Sequence, residues 1–187
     1  MSEEIMQKHT NNSRNQTMKL AKMGVLVALS IALVYFIHFP IFPAVSFLEY
    51  DPADIPILIG TFALGPIAGF ILTLVTSVIQ GLTVSAGSGI YGIIMHIIAT
   101  GALVLVSGII YQRNKTKKGA IIGLVCGTLA MAVVMIIANL IITPMFMGVP
   151  QSMVWDLMPF IIGFNLIKAG MNGAVTFLLY KRISKLI

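Results

Sequence analysis

Charge is scarce in this chain. Lys, Arg, Asp and Glu make up 10% of its 187 residues, and only six of them are acidic. A soluble domain carries about 25% charged and about 45–50% apolar residues. Here 58% are hydrophobic, which excludes an ordinary soluble domain and predicts an integral membrane protein. Cysteine is almost missing. Cys126 stands alone, so no intrachain disulfide can form and the compartment is left open. Metal-binding patterns are missing too. His9, His38 and His96 show no ligand spacing, and there is no HExxH and no paired Cys/His set. Without a Walker motif the chain cannot use ATP by that route. The glycine-rich "SAGSGIYG" follows no strand and reads as a loop rather than a nucleotide cradle. No catalytic constellation appears, so the chain reads as a non-enzyme. The net charge of +6 does not point to nucleic acid, because the basic residues lie beside apolar spans, a pattern of membrane topology.

What is present is apolar sequence in long runs. The start, "MSEEIMQKHTNNSRNQTMKL", is polar and lacks the basic-then-apolar form and cleavage site of a signal peptide. The first span is therefore expected to be retained, with residues 1–17 as a polar cytoplasmic tail, disordered or loosely attached over its first 15. Residues 18–187 read as one membrane domain. A crossing needs about 20 apolar residues for ~30 Å of hydrocarbon. On that scale the sequence predicts an all-α six-helix bundle. The helices run from about Leu20 to Phe36, Ala53 to Leu64, Pro66 to Leu82, Ile90 to Tyr111, Gly119 to Ile142 and Leu157 to Lys181. The second is too short to cross unaided. Gly65 and Pro66 predict a tight turn between the second and third helices, since glycine suits a helix end and proline a helix start.

Basic residues orient the bundle. Lys8, Arg14, Lys19 and Lys22 precede the first helix. Arg113, Lys115, Lys117 and Lys118 separate the fourth and fifth, and Lys181, Arg182 and Lys185 follow the sixth. With both termini in the cytoplasm all of these fall on one side, as the positive-inside bias requires. Glu49, Asp51, Asp54 and Asp156 then fall in outside loops.

Three of the six acids lie within "SFLEYDPADIP". Asp51 is expected to cap the second helix, with Pro52 at its first position and Asp54 near the positive end of its dipole. Glu49 has no such role. It ends the apolar loop "FPIFPAVSFLEY", which is expected to fold back over the bundle as a lid. Residue pattern leaves Glu49 between a functional role and plain surface solvation.

Charge inside a span costs about 2.5–3.5 kcal/mol at a helix centre and usually marks function. Lys168 lies near mid-membrane on the expected sixth helix. Asn165 and Asn172, at −3 and +4, share its face. Asn139 is the lone amide of the outer half of the fifth helix, Gln80 ends the third, and His96 lies two turns into the fourth. Together they describe a polar cavity open to the outside beneath the Glu49 loop. Asn172 also reads as an interhelical hydrogen bond, His96 as a satisfied bundle histidine and Gln80 as an interfacial residue.

Three stretches carry a resemblance: "FLEYDPADIPILIGTFALGPIAG" at 47–69, "ANL" around Asn139 and "FNLIKAGMN" at 164–172. From about residue 18 onward the chain resembles the substrate-binding subunits (S-components) of energy-coupling factor (ECF) vitamin transporters. Within them it is most similar to the riboflavin-binding subunits. The resemblance implies capture of riboflavin outside a prokaryotic plasma membrane and docking on a transmembrane scaffold driven by two cytoplasmic ATPases. It implies no cofactor, riboflavin being the transported ligand, and no partner beyond these and membrane lipid. Residues matching Glu49, Asn139, Asn165 and Lys168 contact the vitamin in that family. Ala44, Leu48, Tyr50, Gln80, His96 and Asn172 form a secondary set. An "AxxxA" pattern, here Ala28 and Ala32, docks on the scaffold in that family, or packs within the subunit. Glu49 and Lys168 could pair with each other or bind ligand hydroxyls. Two other readings stay open: a subunit for another vitamin such as thiamine or pantothenate, and a self-sufficient ion-coupled transporter.

Overall fold

A computed structural model of the chain describes residues 2–183. They form six α-helices in the order the sequence predicts: α1 (Ser2–Phe36), α2 (Asp54–Leu64), α3 (Pro66–Leu82), α4 (Gly89–Arg113), α5 (Lys117–Met147) and α6 (Gln151–Ile183). Four helical stretches, Ser13–Phe36, Ala86–Arg113, Lys117–Met147 and Gln151–Tyr180, are long and apolar enough to cross a membrane. Helices are the natural solution there, because every backbone group must be paired internally.

Several boundaries move. α1 begins at Ser2, so residues 2–15, expected as a disordered or loosely attached tail, are helical. α5 runs through Pro144 to Met147, where Gly148 (φ 66°) ends it. A single proline removes one donor, and membrane helices tolerate that. α6 starts at Gln151, six residues before Leu157, and contains Pro159. Trp155 and Asp156 therefore stand on a helix rather than in a loop, and both are exposed. Lys185 lies outside the described residues, as do the side chains of Lys8, Lys181 and Arg182.

α2 is buried on all sides from Asp54 to Phe62. A helix apolar all round has to sit in the centre of a bundle, and α1, α3, α4 and α6 surround this one. The expected turn follows it. Gly65 adopts φ 98°, donates its N–H to the Thr61 carbonyl, and hands over to Pro66 at the first turn of α3. α4 and α5 approach closely at Gly123 and Gly127. A Cβ at either would come within 2.8 Å of a backbone oxygen of α4, that of Ser107 or Leu103. Small residues four apart allow such contact.

The 37–53 segment is short on regular structure but not loose. Two-residue strands β1 (Phe39–Pro40) and β2 (Glu49–Tyr50) pair antiparallel, Phe39 opposite Tyr50 and Pro40 opposite Glu49. Between them Pro43–Val45 makes one 3-10 turn. Its Val45 is fully buried with Val154, Met158 and Ile161 of α6. Phe42 meets Phe160 and Phe47 meets Phe146 at ring-centroid distances of 5.8 and 6.2 Å. The apolar residues of this loop thus cover the start of α6 and the end of α5.

Candidate functional site

A cavity of about 780 Å³, counting its open mouth, lies beneath this loop and between α3, α4, α5 and α6. Its apolar walls come from Phe47, Leu48, Met95, Met131, Met135 and Phe164. A second pocket of about 400 Å³, lined by Ile142 and Phe146, shares Phe47, Leu48, Met95 and Met135 with it. Its polar lining comes from Glu49 and Asp51 of the loop, Gln80, Ser85 and Ser88 at the end of α3 and beyond it, and Asn165 and Lys168 of α6.

Asp51 and Lys168 belong to a buried network. Lys168 Nζ donates to Asp51 Oδ2 at 2.7 Å, and only 5% of Lys168 is exposed. Asp51 Oδ1 accepts from the Ala53 N–H, and the Asp51 carbonyl accepts from Asn172 Nδ2, both at 3.0 Å. Asn172 also donates to Asp54 Oδ2 at 3.2 Å and accepts from the Tyr50 hydroxyl at 3.0 Å. Asp54 Oδ1 accepts from Thr100 at 2.7 Å and lies 3.6 Å from His96 Nε2. His96 Nδ1 lies 2.7 Å from Ser77 Oγ. Buried carboxylates survive only when paired and hydrogen-bonded, and here Lys168, Asn172 and Thr100 supply that. Burial, and then the Asp51 carboxylate, push the Tyr50 phenol above its ordinary pKa against the opposing Lys168 ammonium. Tyr50 therefore stays a protonated donor to Asn172.

This geometry keeps one expectation and corrects another. Asp51 Oδ1 accepts from the Ala53 N–H at the entry to α2, as a cap does, although the regular helix begins only at Asp54, after Pro52. The partner of Lys168 is Asp51 rather than Glu49, whose side chain is exposed at the cavity rim. The physical reason is the turn at Pro52, which aims Asp51 inward at α6 while β2 alternation faces Glu49 outward and Tyr50 inward.

Among the described residues, Gln80 Oε1 and His96 Nε2 are buried without a hydrogen-bond partner, and both residues line the cavity. Buried polar atoms are normally paired; His96 Nε2 faces the Asp54 carboxylate at 3.6 Å, which leaves Gln80 Oε1 as the atom available to a polar guest. No group of three or more His, Cys, Asp or Glu among the described residues is placed to hold a metal.

Residues 18–180 match the family described as "ECF transporter, substrate-specific component". The chain belongs to this family. A riboflavin transporter of Staphylococcus aureus, RibU, is 30% identical over 92% of this chain and 93% of its own length. RibU of Streptococcus thermophilus is 33% identical over 67% of this chain and 59% of its own. A solved S component of a bacterial ECF transporter superposes with TM-score 0.82 at 30% identity, covering 91% of this chain and 98% of that one. The ThiT structure from Listeria monocytogenes, at TM-score 0.68 and 16% identity, shares the fold.

In this S component the expected site residues divide. Glu49, Asn165 and Lys168 line the cavity, with Leu48, Gln80 and His96. Asn139 is fully buried in α5, donating to the Met135 carbonyl and accepting from Thr143. It is not in the cavity lining, and neither are Ala44, Tyr50 and Asn172. Tyr50 and Asn172 instead tie the loop to α6 and α2, so the interhelical reading of Asn172 holds. Ala28 and Ala32 are exposed on α1. Sequence reasoning missed Asp51 and Asp54 as interior groups. The signal was available: Asp54 opens a helix with no other charge, on a chain where Asn172 and Lys168 lacked partners.

Proposed function

We propose that this S component binds riboflavin from outside a prokaryotic plasma membrane and delivers it through a transmembrane scaffold driven by two separate ATPase subunits. The observation that carries this is the cavity. Riboflavin is a neutral molecule with a flat apolar ring, a polar uracil-like edge and a hydroxylated chain. A cavity with thioether and aromatic walls, lined also by amides, an ammonium, hydroxyls and a carboxylate, supplies groups for those three parts. The 30% identity with the riboflavin transporter of Staphylococcus aureus over 92% of the chain supports the same reading.

Ring burial against Phe47, Leu48, Met131, Met135 and Phe164 supplies most of the affinity, with a few placed polar groups fixing orientation. Asn165 and Lys168 meet the uracil-like edge. Glu49, Gln80 and the serines meet the chain hydroxyls. Asn139 joins them only by turning from Met135 and Thr143. The 37–53 loop acts as a lid that excludes water once the vitamin is seated. Both termini face the cytoplasm, and Ala28 and Ala32 on the open face of α1 meet the scaffold.

An absorbance and fluorescence measurement on the purified protein tests this. Flavin bands with quenched fluorescence, and riboflavin identified by mass spectrometry after denaturation, are expected. A colourless protein that fails to quench added riboflavin would reject the assignment.

A further inference from the structure

A second concavity lies away from the cargo cavity. It is an open groove of about 710 Å³ between α5 and α6, lined by Ile121, Val125 and Leu129 on one helix and Gly170, Ala174 and Phe177 on the other. No residue of it touches the cargo cavity. The groove exists because α6 carries small residues there. A Cβ built at Gly170 meets nothing within 4 Å, so a larger side chain would simply occupy the space.

Filling an apolar groove gives no selectivity in a membrane, because lipid tails are as apolar as leucine. Charge at the groove's end does. Lys117 and Lys118, both exposed, stand four and three residues before Ile121, on the face that continues into the groove. Lys115 and Arg113 flank them, also exposed, and neither 113–118 nor 169–180 contains an acid. A phosphate seated at these ammonium groups places its hydrocarbon at the level of Ile121 to Leu129, ~12 Å of helix. We propose that the α5–α6 groove holds one acyl chain of an anionic phospholipid, its headgroup bound by Lys117 and Lys118, from the leaflet beside the 113–118 loop. Basic pockets at the cytoplasmic ends of membrane helices recognise such headgroups.

The full chain is reconstituted in vesicles of equal phosphatidylglycerol and phosphatidylcholine, extracted in mild detergent, and its retained lipid is counted by mass spectrometry. About one phosphatidylglycerol per chain is expected, preferred on the order of tenfold over phosphatidylcholine. Lys117→Gln with Lys118→Gln removes the preference while the protein still elutes as a single species. Gly170→Leu removes retained lipid altogether. Equal retention of the two lipids by the native chain, or a preference unchanged in the lysine variant, overturns the proposal. So does a dimer, abolished by Gly170→Leu, in place of bound lipid.

Discussion

Lys168 and Asp51 lie 117 positions apart in the chain, and 2.7 Å separates their charged atoms. That contact fastens the mouth of the loop to the middle of α6 and places an ammonium at the edge of the cavity. Removing one partner of a buried pair costs about 3–5 kcal/mol, because the other is left charged and unpaired. Asp51→Asn is expected to lower stability by that order. Asp51→Asn with Lys168→Met, which removes both charges, should recover much of the loss. A double-mutant cycle of unfolding free energies measures the coupling, and additive effects would contradict it.

Lys168 and Asn165 should both matter to riboflavin, unequally. A hydrogen bond involving a charge contributes about 1.5–3 kcal/mol and a neutral one about 0.5–1.5. Lys168→Met is expected to weaken binding by roughly ten- to a hundredfold and Asn165→Ala by severalfold. Fluorescence-quenching titration reads both, and native affinity in the pair of variants would displace the site from this cavity.

Asn139 separates two geometries. Its side chain is committed to Met135 and Thr143. If the vitamin recruits it, Asn139→Ala weakens binding. If the described geometry persists in the complex, the same change leaves affinity intact and lowers only stability. The expected outcome is weaker binding, checked by titration beside a thermal unfolding curve.

Gly123 sets how closely α4 and α5 pack. Gly123→Leu meets the Ser107 carbonyl and should abolish stable, monodisperse protein. Gly24→Ala is the control. Its Cβ meets nothing within 4 Å, and size-exclusion profiles should match the native one.

Docking on α1 predicts a split between binding and transport. Ala28→Trp with Ala32→Trp changes an exposed face of α1, a helix that contributes no residue to the cavity lining, so riboflavin affinity in detergent should be unchanged. Uptake by cells or vesicles containing the scaffold and ATPases should fall at least tenfold, as expected where close helix approach is blocked. Normal uptake would move the docking surface elsewhere.

Helix number and order, the Gly65–Pro66 turn and the apolar loop packed on the bundle were legible in the chain, because each rests on local chemistry. Apolar run length marks spans, glycine and proline mark turns, and phenylalanines in a loop need cover. Lys168 and Asn165 were legible for a related reason: polar groups within apolar helices are costly. What those groups bind is a different kind of fact. Asp51 and Glu49 are two residues apart in the same acidic stretch, and local rules gave Asp51 to a helix cap and left Glu49 to pair with Lys168 or to bind ligand hydroxyls. Tertiary structure gives Asp51 both the bond to the Ala53 N–H and the pair with Lys168, because the turn at Pro52 and the alternation of β2 decide which carboxylate faces α6. Asn139 shows the same limit. Its depth follows from the sequence, but its rotamer follows from Met135 and Thr143. The sequence by itself determined a six-helix membrane fold and the polar residues it must shelter. Only the folded chain decided their pairing, since a charge pair depends on distances between segments that sequence spacing does not encode.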